Sequence, residues 1–150
     1  MAVSFNPPSQ PGGNQLNPVA IWVQNLIDSL KASFASIPFA KSFTSSDQVI
    51  TAAGSLTIAH GLGAVPFDTA AFLINQTAEG GYSIGDVLKV DANPHGDGAV
   101  NRNTAVTLDV TNLNVRFGSD ASTYTIIRKD TGASFAITNV NWKLRLKAWL

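Results

Sequence analysis

The 150-residue chain contains no cysteine, two histidines and one methionine, and only 13% of its residues are charged. Without cysteine there is no disulfide, no thiolate nucleophile and no Cys-ligated metal, and the redox compartment stays unmarked. His60 and His95 are too few for a His-based metal site unless several carboxylates join them. No metal and no cofactor is therefore expected. A typical soluble domain carries roughly 25% charged residues, so this surface has about half the usual charge. Ten Lys+Arg balance ten Asp+Glu, which argues against the basic footprint of a nucleic-acid binder. No run reaches the roughly 18–20 consecutive apolar residues that span a bilayer, so no membrane partner is expected. The chain does not start with a basic segment and an apolar stretch, so it does not read as carrying a signal peptide. With 45% hydrophobic residues it is too apolar for a disordered chain, and its length suits one domain with a real core.

What charge there is lies unevenly. Residues 1–27 have none, residues 45–115 carry seven acidic and two basic side chains, and residues 116–150 carry six basic and two acidic. If these patches lie on different faces, copies would attract one another; if strand pairing mixes them, the charges cancel within one domain. The first sixteen residues hold Pro7, Pro8, Pro11, Gly12 and Gly13, which exclude a helix or a central strand. They read as an extended anchoring arm, with Val3, Phe5 and Leu16 as apolar pegs for docking on a partner.

Asn17-Pro18 is a helix start, an Asn cap followed by proline at the first helical position. Val19, Trp22, Val23, Leu26, Ile27, Leu30 and Phe34 then recur at helical spacing, and Pro38 closes a helix over residues 17–37. Val19, Val23, Leu26 and Leu30 also fit the alternating seam positions of a short coiled coil, which would gather copies about an axis. Packing of the helix on its own domain is the alternative.

From residue 38 onward the period changes to two. Strands are predicted over residues 48–51, 55–59, 69–75, 82–90, 105–111, 115–118, 124–129, 134–138 and 141–149, with a loop at 93–103. Short strands without helical crossovers favour a mainly β fold, an antiparallel β-sandwich of jelly-roll-like type over residues 38–150. In the last strand Trp142, Leu144, Leu146 and Ala148 face one way, and Lys143, Arg145 and Lys147 the other.

Several motifs invite chemistry. Gly81-Tyr82-Ser83-Ile84-Gly85 has the G-x-S-x-G form of a hydrolase nucleophile elbow, with Asp91 and His95 downstream. The elbow needs a strand turning into a helix, whereas a strand is predicted after Gly85, so a tight turn is expected and no catalytic residue is assigned. Asp91, Asn93 and Asp97 echo the start of a calcium loop, but Arg102 stands where its glutamate would be. His60, before Gly61-Leu62-Gly63, reads as a turn-capping side chain. Asn75-Gln76-Thr77 fits a glycosylation sequon. Tyr82, Phe117, Tyr124 and Trp149 could stack on sugars, although packing is the default for aromatics.

Ile58-Ala59-His60-Gly61-Leu62-Gly63-Ala64-Val65-Pro66 resembles a motif of bacteriophage virion proteins. Thr77-Ala78-Glu79-Gly80-Gly81-Tyr82-Ser83-Ile84-Gly85-Asp86 and Asn141-Trp142-Lys143-Leu144-Arg145-Leu146-Lys147-Ala148-Trp149 follow in the order found there. The resemblance covers residues 50–150. It implies a small β-sandwich module, often trimeric, on capsid decorations, head fibres or tail fibres, some of them similar to H-type lectin domains. It brings no catalytic residues. The expectation is a non-enzymatic protein of the virion surface, a trimeric homo-oligomer docked on the major capsid protein or another virion protein. A chain with room for only one helix and one knob favours capsid cement, decoration or head fibre over a shaft-bearing tail fibre. The alternative is a receptor-binding knob for host glycan, with contacts from Tyr82, Asn93, Asn101 and Asn103.

Overall fold

A computed structural model of the chain describes residues 17–35, 41–92, 95, 96 and 101–150. The arm with Val3, Phe5 and Leu16, the expected helix stop at Pro38, and Asn93 and Asp97 lie outside the described residues. The chain divides into two compact units, one ending at Ala40 and one running from Lys41 to Leu150.

The first unit holds the helix α1 (Pro18–Ala35). Its start follows from the sequence: Asn17 Oδ1 accepts the Val19 N–H at 3.0 Å, and the Asn17 carbonyl accepts the Ala20 and Ile21 amides. No acidic residue sits in its first turn and no basic residue in its last, so the helix dipole goes uncompensated by side chains. Gln24 Nε2 donates to Asp28 Oδ1 one turn on.

The second unit is mainly β, and every pairing in it is antiparallel. Its larger sheet is organised around β12 (Trp142–Trp149), which lies beside β4 (Asp68–Asn75) over its whole length, with β5 (Val87–Val90) beyond. On its other side β12 pairs first with β1 (Ser42–Thr44) and then with β2 (Gln48–Val49). Between these two short strands the buried Ser45 keeps the ladder intact: its amide donates to the Leu146 carbonyl and its hydroxyl accepts the Leu146 N–H. A serine hydroxyl thus stands in for a missing backbone acceptor where the edge changes strand.

The second sheet runs β3 (Ser55–Ala59), β9 (Asn112–Phe117), β8 (Thr104–Leu108). Two smaller ribbons join β10 (Thr125–Ile127) to β11 (Ser134–Ala136) and β6 (His95–Gly96) to β7 (Asn101–Arg102). The core fills the space between the main sheets: Ala71, Leu73, Trp142, Leu144, Leu146 and Ala148 from one side meet Leu113, Val115 and Phe117 from the other. Leu56, Ile58, Val106 and Leu108 pack against it. Burying a leucine of this kind stabilises by roughly 1.5–3 kcal/mol. Strands neighbouring in space but distant in sequence, such as β12 with β4 and β3 with β9, build the expected antiparallel β-sandwich.

The 82–90 strand begins only at Val87, and Tyr82 makes an isolated bridge with Glu79. β1 was not foreseen, because Ser42-Phe43-Thr44 is too short to show a period. The expected loop at 93–103 contains β6 and β7. Phe117 and Tyr124, offered as sugar-stacking aromatics, are core side chains exposed by 3% and 1%.

Candidate functional site

The exposed apolar surface of α1 is the feature that most needs explaining. Val19, Trp22, Val23, Leu26, Ile27, Leu30 and Phe34 are between 39% and 64% exposed. At 100° per residue they form one continuous stripe, which contains the four expected seam residues Val19, Val23, Leu26 and Leu30. In proteins most of a helix's stability comes from packing its amphipathic face. The apolar stripe of α1 therefore supplies a driving force for association.

The segment between β4 and β5, which carries the second resembling motif, is a structural clamp. Asn75 is wholly buried; its amide donates to the Ser83 carbonyl and its Oδ1 accepts the Thr77 N–H. Glu79 reaches across 59 residues, one oxygen accepting the Thr138 N–H at 2.7 Å and the other the Asn141 amide. Tyr82 stands edge-on to Trp142 at 5.4 Å between centroids, and its hydroxyl donates to the Ile127 carbonyl. Lys129 lies over the Tyr82 ring and pairs with Asp86 at 2.7 Å. That partner holds the Asp86 carboxyl below the usual carboxylate range, helped by the Ser83 N–H. Gly80 and Gly81 have φ of 61° and 81°. A Cβ on Gly80 would meet the Phe135 ring, and one on Gly81 would lie 2.7 Å from the Asp130 backbone. Both glycines are thus required twice, by backbone conformation and by close approach.

This geometry disposes of two sequence motifs. Ser83 caps a turn closed by Asp86 and is followed by a strand, so the strand-to-helix elbow of a serine nucleophile is not formed. A buried Asn75 with both ends of its amide engaged is not a presented sequon. Among the described residues no group of three or more His, Asp or Glu side chains is gathered as metal ligands, and no helix is long and apolar enough to cross a membrane.

The other expected contacts are distributed. Asn103 has φ of 65°, its amide donates to the Thr123 carbonyl and its carbonyl accepts the Gly118 N–H. Asn101 lies on β7, its carbonyl accepting the Asp120 amide. Tyr82 is tied to Ile127 and Trp142, so among the described residues no hydrogen bond or ring contact joins it to the two asparagines.

His60 does what its place before Gly61 suggested. Buried at the end of β3, its Nδ1 accepts the Leu62 N–H at 3.1 Å, and Nε2, which must then carry the proton, donates to the Asp109 carbonyl at 3.0 Å. Asp109, which sequence reasoning missed, organises the β8–β9 turn. Its carboxylate accepts the Thr111 and Asn112 amides, the Thr111 hydroxyl and the Asn114 side chain. These donors hold it well below the usual carboxylate range. The signal was present in Asp109-Val110-Thr111-Asn112, an aspartate two and three residues before the amides it binds.

Compared with models of known protein families and with curated proteins, the chain matches none.

Proposed function

We propose that the protein is a non-enzymatic structural component of a bacteriophage virion, a capsid cement, decoration or head-fibre subunit that works as a homo-oligomer. One observation carries the assembly part of this reading: seven apolar side chains on one stripe of α1 remain 39–64% exposed. In a trimer those stripes face a common axis and leave water, as a and d positions do in a coiled coil. Residues 1–16 supply the anchor on the major capsid protein or another virion protein. Binding an assembled lattice in preference to its free parts stabilises the lattice by mass action. The virion assignment is supported by the resemblance of residues 50–150, whose three motifs fall on β3 and its turn, the clamp, and β12.

Sedimentation of the full chain should give a multiple of 15.8 kDa, three copies being expected. Particles purified from a lysate containing the chain should hold it in stoichiometric amount, and a chain lacking residues 1–16 should fold but fail to dock. A monomer at high concentration overturns the oligomer. Absence from purified particles overturns the virion role.

A further inference from the structure

The outer face of the larger sheet is unlike the rest of the surface. Cross-strand register sets Lys89 of β5, Phe72 of β4 and Arg145 of β12 in one row. The row above runs Val87, Ile74, Lys143 and Val49, and the row below brings in Ala70 and Lys147. Alternate positions on a strand are about 6.6–6.8 Å apart and neighbouring strands about 4.8 Å. Lys143, Arg145, Lys147 and Lys89 therefore surround Phe72, and Lys147 Nζ lies 5.7 Å from its ring centre.

Five of the protein's ten cations are neutralised locally, Lys31 by Asp28 on α1 among them. Arg102 pairs with Asp120, Arg128 with Asp130, Lys129 with Asp86 and Arg145 with Asp47. Among the described residues Lys41, Lys89, Arg116, Lys143 and Lys147 have no ion pair, and three of these five, Lys89, Lys143 and Lys147, are on this face. Besides Asp47, which is taken up by Arg145, the carboxylates of this face lie at one end of it, with Asp68 opposite Trp149 and Asp91 just beyond β5. The outer face of the smaller sheet shows instead Ser55, Thr57, Ala105, Thr107 and Asn114, with Arg116 as its one cation.

We infer that the outer face of the larger sheet binds an acidic polysaccharide, a chain of uronic or sulfated sugars. Its anions meet Lys89, Lys143 and Lys147, and the C–H faces of its rings lie on the apolar strip of Phe72 and Val87. Charge complementarity selects an anionic partner. The small number of free cations, bounded by Asp68 and Asp91, selects a polymer whose charges are spaced by sugar rings over nucleic acid with its dense phosphates. This surface is distinct from Tyr82, Asn101 and Asn103, and it does not depend on the virion reading.

The test is binding of the full chain to dextran sulfate and polygalacturonate, with uncharged dextran and single-stranded oligo-dT as comparators. Binding to an acidic polysaccharide is expected, none to dextran, and weaker binding to oligo-dT. Three released counterions should weaken binding roughly 20- to 40-fold when salt rises from about 50 to about 200 mM. The triple variant Lys89→Gln, Lys143→Gln, Lys147→Gln should lose about tenfold or more in affinity, while Arg116→Gln on the opposite sheet retains it. Should the triple variant fail to fold, the three single variants carry the same comparison. No binding to either acidic polymer at low salt, full binding by the lysine variants, or equal affinity for oligo-dT overturns the inference.

Discussion

Leu73, Leu113, Leu144 and Leu146 are wholly buried between the two main sheets, whereas Val19, Val23, Leu26 and Leu30 on α1 keep 40–64% of their surface open. The residue types are the same, and the difference lies in what local geometry can close. A sheet hides one face as soon as a second sheet covers it, and a chain of this length supplies both. A lone helix has no second layer of its own. The sandwich therefore covers its apolar residues within its own unit, whereas the stripe on α1 stays open, and the proposed oligomer would cover it.

The sharpest way to break this contrast is to open the core. Leu73→Ala should cost about 2–5 kcal/mol, read by chemical denaturation, and folded protein that remains should keep its oligomeric state. The converse is Val23→Asp together with Leu26→Asp. Removing two apolar side chains from the seam should cost roughly 2–4 kcal/mol of association and dissociate the oligomer in light scattering. The unfolding transition of the sandwich should not move; an unaffected trimer would show that α1 is not the seam.

Two smaller changes probe how the sandwich holds its turns. His60→Ala leaves the Leu62 amide and the Asp109 carbonyl without their partner and should lower stability by about 1–3 kcal/mol, with α1 association unchanged. Asp109→Asn should have the smallest effect and one that depends on pH. The Thr111 and Asn112 amides depress the folded-state pKa of Asp109, so its contribution is present above the unfolded value of about 3.9 and is lost as pH falls below it. The difference in melting temperature between the original protein and the variant should therefore begin to shrink as pH falls below about 4 and go on shrinking through the depressed folded-state value. At the alkaline end, burial pushes the Tyr124 phenol up to about 12, against the hydrogen bond with Thr104. Stability from that group is present below its unfolded value of about 10 and is lost as pH rises past it.

Much of this architecture was legible where the chain reports on itself locally. Asn17-Pro18 marked the helix start, and the strict alternation from Trp142 to Ala148 marked the inner and outer faces of β12. Gly80, Gly81 and Gly85 marked a turn where a catalytic elbow was the more dramatic reading. The partners of these pieces were not legible. Glu79 finds Thr138 and Asn141, and Ser45 repairs the ladder at Leu146; no periodicity signals a bond spanning 59 or 101 residues. The aromatics show the same limit, since Tyr124 and Phe117 carry nothing in their neighbourhood that distinguishes a core ring from a displayed one.

Charge divides along the same line. Among the described residues, Asp86 with Lys129 and Asp47 with Arg145 join the acidic middle of the sequence to its basic end as ion pairs. The sequence alone determined the amphipathic helix, the alternating strands and the glycine turns, because each depends on neighbours a few residues apart. Only the tertiary structure decided which charges cancel and which lysines are left on one face, because pairing in a sandwich is set by register between strands that the chain keeps far apart.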